Sequence, residues 1–158
     1  MKEKSYKLIE RIIEQSNSSN WHNAKLEWKI VDIYKLEKDE DNKTCLCWHY
    51  PIRNICILKN KENGNKVVVW QVCAKKFNNL DENININSFF SSILRVRENL
   101  YKSVHKKVIE YYYEKWILTE KDKDFYLNII KKKKNSLSNK QLKRKKNINW
   151  RIIKEFIR

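Results

Sequence analysis

The chain has 158 residues with one glycine and one proline, a length that predicts one domain or two very small ones. Apolar residues make up 41% and aromatics 12%, which excludes wholesale disorder, and no apolar run approaches the roughly 20 residues that cross a bilayer. The net charge is +16, and the opening MKEKSYKLIERIIEQ mixes both charge signs with its apolar positions, so it does not read as a signal peptide; an intracellular, reducing compartment, cytoplasmic or nuclear, is expected, with no membrane partner.

In chain order, Leu8, Ile9, Ile12 and Ile13 form one stripe of a short helix over residues 5–15, and the polar run 16–20 ends it. Residues 1–20 thus read as an N-terminal helix and linker. Leu26, Trp28 and Ile30 then alternate, and Ile33 opens a shifted β-branched and aromatic pattern, which predicts a strand with a bulge. The acids Glu37, Asp39, Glu40 and Asp41 read as a solvated turn. Residues 52–59 and 66–73 flank an Asn63-Gly64 dipeptide, the strongest short-range hairpin signal, because a two-residue type I′ turn needs positive φ at both central positions. Residues 21–80 therefore read as a β-ribbon.

Beyond Phe77 the pattern turns helical. Ser88 is placed to cap a helix carrying Phe89 and Phe90, and Leu100, Val104, Val108 and Tyr111 mark a longer one. Thr119 and Asp122 resemble a capping box ahead of Phe125 and Ile129, and Ser138 can cap a last helix with Leu142, Ile148, Ile152 and Phe156 on its apolar side. Tyr111, Tyr112 and Tyr113 spread over about 200° of a helix, so at least one should meet solvent. The fold class expected is α+β: a small zinc-stabilised antiparallel β-ribbon followed by a basic helical region of three to four helices over 88–158.

The four cysteines, Cys45, Cys47, Cys56 and Cys73, all fall in the ribbon. In a chain without a signal peptide this favours a metal over disulfides, and zinc is the default for a small sheet with little core of its own. The C-x-C pair must come off a tight turn. If Asn63-Gly64 is a two-residue turn, Cys56 faces Gln71 and becomes a diagonal neighbour of Cys73, roughly 5–7 Å apart at the β-carbons. His49, two residues past Cys47, is a fifth candidate for four places: the strand pairing favours Cys56, and proximity to the C-x-C turn favours His49. The metal reads as structural, since no open coordination position or partner base is evident.

The run Cys45-Leu46-Cys47-Trp48-His49, then Asn63-Gly64-Asn65 and Cys73-Ala74-Lys75-Lys76-Phe77, with Glu27-Trp28 before it, resembles a ribbon motif of small zinc-ribbon-like proteins from phages, bacteria and large DNA viruses. The pieces Trp116-Ile117, Phe125-Tyr126, Leu137 to Gln141 and Ile148-Asn149 are similar to the helical tail that often follows it. The resemblance implies a zinc module in a protein that handles nucleic acid, and it is compatible with a viral origin. Two positions depart from the pattern: Trp48 and Trp70 stand where the family usually has glycine, so either the ribbon is remodelled or the two indoles cover each other.

Between Lys131 and Arg158 there are twelve Lys/Arg and one acid, Glu155, so 28 residues carry +11 of the charge. Such a run looks for a polyanion. An AT-rich genome also favours lysine over arginine, but that bias does not remove acids. The candidate nucleic-acid contacts are Lys131, Lys132, Lys133, Lys134, Lys140, Lys143, Arg144, Lys145, Lys146 and Arg151. Lysine rather than Arg or Asn predominates, which suits phosphate contact more than base reading. No catalytic residue is assigned: His22, His49 and His105 are far apart, and no phosphate loop or H-E-x-x-H motif is present. The expected function is a non-enzymatic zinc-ribbon protein that binds DNA or RNA through its basic C-terminal helices. The competing readings are a structural or interaction protein, such as a viral accessory or virion protein with a protein partner, and a nuclease.

Overall fold

A computed structural model describes residues 2–38, 41–77 and 85–158, with side chains from Ser5 onward; Asp39 and Glu40 of the acidic turn lie outside the described residues. The fold is mixed α+β, with three antiparallel strands and seven α-helices among the described residues. No described helix is long and apolar enough to cross a membrane. The chain divides into two compact units, Met1–Ile86 with Ile157–Arg158, and Asn87–Phe156.

In the first unit, α1 (Lys2–Glu14) buries Leu8 and Ile12. The turn after it is closed by polar atoms. Ser16 Oγ donates to the Ile12 carbonyl at 2.6 Å and accepts the indole N–H of the fully buried Trp28 at 2.8 Å. A helix absent from the sequence expectation follows, α2 (Trp21–Glu27), started by Asn20, whose side chain accepts from the Asn23 amide. With seven residues and no apolar stripe it carries no periodic signal. Its last residue holds it. The buried Glu27 carboxylate accepts from the amides of Asn17 and Ser18 and from Asn60 Nδ2, each at 2.8 Å. Burial alone would raise this carboxyl; the hydrogen bonds from Asn60, Ser18 and Asn17 outweigh it and hold the group at about 2.

The sheet runs β1 (Trp28–Lys35), β2 (Asn54–Asn60) and β3 (Lys66–Trp70), in that order, with the expected bulge between Ile30 and Asp32. The hairpin forms, but not through a two-residue turn. Asn60 and Asn65 close a four-residue loop, Gly64 takes φ +78°, and its amide bonds to the Asn60 carbonyl at 3.1 Å. The cause is the Asn60 side chain, whose oxygen captures the amides of Glu62 and Asn63 at 2.8 and 3.2 Å while its amide group reaches Glu27. Cys56 is consequently paired with Val69 rather than Gln71. At the other edge, Ile157 bridges Lys35, and Arg158 binds Asp32 at 2.7 and 3.3 Å.

The second unit is helical. It contains most of α4 (Ile86–Glu98), then α5 (Lys106–Glu114), α6 (Glu120–Ile129) and α7 (Asn139–Phe156), around Phe89, Phe90, Ile93, Val108, Ile109, Ile148, Ile152 and Phe156. Ser88 lies inside α4 and does not cap it. The longer helix expected from Leu100 onward begins only at Lys106. Asn99 turns the chain by accepting the Tyr101 amide, and the buried Asn149 holds the Leu100 and Lys102 carbonyls at 2.8 and 3.0 Å. The Thr119–Asp122 capping box forms, and Ser138 caps α7 in a reciprocal pair with Gln141. Helix α5 ends in a Schellman motif whose left-handed position is Trp116, at φ +61° and 91% exposed.

Candidate metal centre and basic face

Lys43 and Ile52 pair as an antiparallel bridge and open a short arm, at whose tip Cys45–Trp48 form a tight turn. The Trp48 amide bonds to the Cys45 carbonyl at 2.8 Å, the Cys45 amide to the His49 carbonyl at 2.9 Å, and Leu46 is tied to the Val68 carbonyl of β3. This closure needs a left-handed residue at position 48. Trp48 supplies it at φ +66°, so the turn keeps its shape despite the missing glycine. The two indoles do not cover each other: Trp48 is 62% exposed with the Arg11 guanidinium over it, whereas Trp70 stacks on the His49 ring at 4.5 Å.

The run Lys66 to Cys73 reads as one strand, yet β3 stops at Trp70 and the chain turns into α3 (Gln71–Ala74). That turn lifts Cys73 off the sheet and over the arm. The Sγ atoms of Cys45, Cys47 and Cys73 lie within 4.8 Å of one another, Cys47 and Cys73 3.5 Å apart, and the Trp70 amide donates to Cys45 Sγ at 3.2 Å. This cluster can hold a metal ion. Cys56 and His49 are outside the group. Cys56 is fully buried in β2 between Ile33 and Val69 as a core side chain; its expected diagonal to Cys73 is lost with the end of β3.

Three thiols this close cannot ionise independently. A hydrogen bond from the Cys73 thiol holds Cys45 down at about 6. Cys73 itself is held far above the usual thiol range by that bond and by burial, and burial raises Cys47 as well. A cation placed among them lets all three lose their protons together.

The basic candidates separate by burial. Lys131, Lys132, Lys133, Lys134, Lys140 and Lys143 are exposed, Lys146 is half-buried, and none of the seven has a carboxylate partner among the described residues. Lys145 is a correction to the surface set: it is 2% exposed, its Nζ donates to Ser103 Oγ at 2.8 Å, and burial lowers its pKa. Arg144 and Arg151 point at Asp122, at 3.3 and 2.8 Å, and bind the Lys121 and Ile117 carbonyls. They join α7 to the start of α6, and the one Asp122 carboxylate they share offsets one of their two charges.

Of the three tyrosines, Tyr111 and Tyr112 are buried and Tyr113 is half-buried under the Lys123 ammonium at 3.9 Å. His105 caps α5 through its ring nitrogen, and His22 is exposed. The aromatic residue missed by sequence reasoning is Tyr101, with Lys134 4.0 Å and Lys146 5.2 Å from its ring centroid. Asn99 and Ser103, turn-forming types on either side of it, were the available signal. No protein-family model matches the chain, and comparison with curated proteins and with solved structures gives no match either.

Proposed function

We propose that the chain is a non-enzymatic zinc-binding protein that holds nucleic acid through phosphate contacts of its helical unit. The observation that carries this reading is the set of seven lysines from Lys131 to Lys146, in a stretch with no acid, that have no carboxylate partner among the described residues. Lysines in that state gain most from replacing condensed counterions on a polyanion. Zinc, a redox-inert ion that thiolates bind well, is the cation this cluster favours. The fourth ligand in this reading is His49, which lies outside the three-thiol group in this structure but on the same arm, its carbonyl bonded to Cys45 and its ring on Trp70, the residue that donates to Cys45 Sγ. The viral or phage-like character suggested by the motif resemblance belongs to the same reading.

A second reading, a protein-interaction module, draws on Trp48 and Tyr50, both more than 60% exposed on the cysteine arm. Fluorescence anisotropy with labelled duplex and single strands of DNA and RNA at two salt concentrations separates the two. Nucleic-acid binding through about half of the seven lysines gives a slope of log K against log salt near −3 on duplex DNA. Absence of binding at low salt removes the first reading and leaves the second. Elemental analysis of the native protein tests the zinc: about one zinc per chain is expected, lost in Cys73→Ser and weakened in His49→Ala, with Cys56→Ala retaining it. Retention in His49→Ala with loss in Cys56→Ala would reassign the fourth ligand.

A further inference from the structure

Helix α7 sends two faces to two different tasks. Lys145 and Asn149 point inward and pin the loop between α4 and α5: Asn149 Nδ2 donates to the Leu100 and Lys102 carbonyls, its oxygen accepts from the Tyr126 hydroxyl at 2.6 Å, and Lys145 reaches Ser103. The Tyr126 hydroxyl in turn accepts the Val104 amide. Tyr101 is the residue in the middle of this pinned loop, so its position is set by the buried network behind it rather than by its own contacts.

The adjoining face of α7 presents Asn139, Leu142, Lys143 and Lys146, spaced i, i+3, i+4 and i+7, hence aligned along one side. Together with Tyr101 they line a cavity of about 250 Å³. Lys134 reaches the same ring from the one-turn 3₁₀ helix Lys134–Ser136. Lys143 and Lys146 thus line a recess with an aromatic wall and no carboxylate in its lining, and the Lys134 ammonium lies against the ring that forms that wall. Cation–π attraction to Tyr101 draws Lys134 and Lys146 together against their mutual repulsion. None of Lys134, Lys143 and Lys146 has a carboxylate partner among the described residues.

We propose that this recess is a phosphate subsite, in which Lys134, Lys143 and Lys146 take one phosphate ester of a nucleotide strand and Tyr101 acts as the positioning residue for two of them. The proposal rests on the nucleic-acid reading above and deepens it: among the seven lysines, these three form a site and Lys131 to Lys133 contribute only field. The ester is a diester within a strand or a monoester at its end; both present anionic non-bridging oxygens to the ammonium groups, two in the diester and three in the more highly charged monoester.

Two variants of equal charge in the full chain test it. The recess variant carries Lys134→Gln, Lys143→Gln and Lys146→Gln, and the comparison variant Lys131→Gln, Lys132→Gln and Lys133→Gln. With a labelled single-stranded DNA, the recess variant should lose about tenfold more affinity than the comparison variant, and Tyr101→Leu should lose several-fold with no charge removed. Equal losses in the two triple variants would overturn the subsite and leave the nucleic-acid reading intact. A 5′-phosphorylated strand binding better than its unphosphorylated twin assigns the monoester; equal binding assigns the diester. If the native protein binds no strand, the nucleic-acid reading fails, and titration with adenosine monophosphate decides the subsite alone. Amide shifts at Tyr101 and Leu142 to Lys146 would keep it, and their absence would end it.

Discussion

The arm that carries the C-x-C turn and the Asn99–His105 loop are both irregular segments, and they are held in opposite ways. The loop is closed by the protein's own atoms. Asn149, Tyr126, Lys145 and Ser103 pair with one another and with backbone carbonyls, and each bond joins a donor to an acceptor. The arm is held by a few backbone bonds, at the Lys43–Ile52 bridge, within its turn and from Leu46 to Val68, and its two thiols crowd against Cys73 of α3, with Cys45 held down at about 6 and its neighbours raised. A satisfied polar network stabilises itself, whereas a thiolate cluster becomes cohesive only around a cation. The two units should therefore respond differently to the same perturbations.

On the proposed zinc reading, the largest effect is expected from removing the metal. Cys73→Ser, or a chelator, should release all bound zinc and lose the ordered arm, while far-UV circular dichroism falls by little because the helices of the second unit remain. Next comes the second unit's own fastening. Asn149→Ala leaves the Leu100 and Lys102 carbonyls without their donor, and the denaturant midpoint should fall by an amount worth about 2–4 kcal/mol with no change in zinc content. A loss of zinc in that variant would mean that the two fastenings are not independent.

Glu27 tests whether polar closure also operates beside the sheet. Its carboxyl is held at about 2 against an ordinary 4.5, so its contribution is fully present above 4.5 and is lost as pH falls toward 2. Glu27→Gln should cost about 2 kcal/mol at neutral pH, and the gap to the native protein should narrow as acid is added. Urea titrations at neutral pH and below 4.5 measure both. The smallest effects belong to the two left-handed tryptophans, one in each unit. Trp48→Gly and Trp116→Gly relieve about 1 kcal/mol of backbone strain each, partly offset by the freedom glycine adds to the unfolded chain. Both should be neutral to slightly stabilising in thermal unfolding; a clear loss at Trp48 would show that its contact with Arg11 matters.

The parts of the fold written in local chemistry were legible. The Asn-Gly hairpin, the bulge in β1, and the caps at Thr119 and Ser138 depend on a few adjacent residues. What escaped depends on long-range partners. Helix α2 has no apolar period and stands on Glu27 meeting Asn60, 33 positions away. The run Val67 to Cys73 has strand propensity throughout, yet Trp70 donates to Cys45 Sγ and the chain bends there. The cysteine set was legible by residue type and only partly by geometry, because a turn length different by two residues and one short helix decide which thiols meet. Lys145 read as one more surface cation, although its place on α7, three residues before Ile148 and four before Asn149, faces the interior.

Hydrogen exchange followed segment by segment, with and without a zinc chelator, tests the account most directly. Chelation should strip protection from Lys43–Ile52 and from Trp70–Ala74 while the amides of Tyr101, Val104 and His105 exchange as before. Unchanged protection of the arm, or equal loss in both segments, would contradict a cation-held arm beside a self-closed loop.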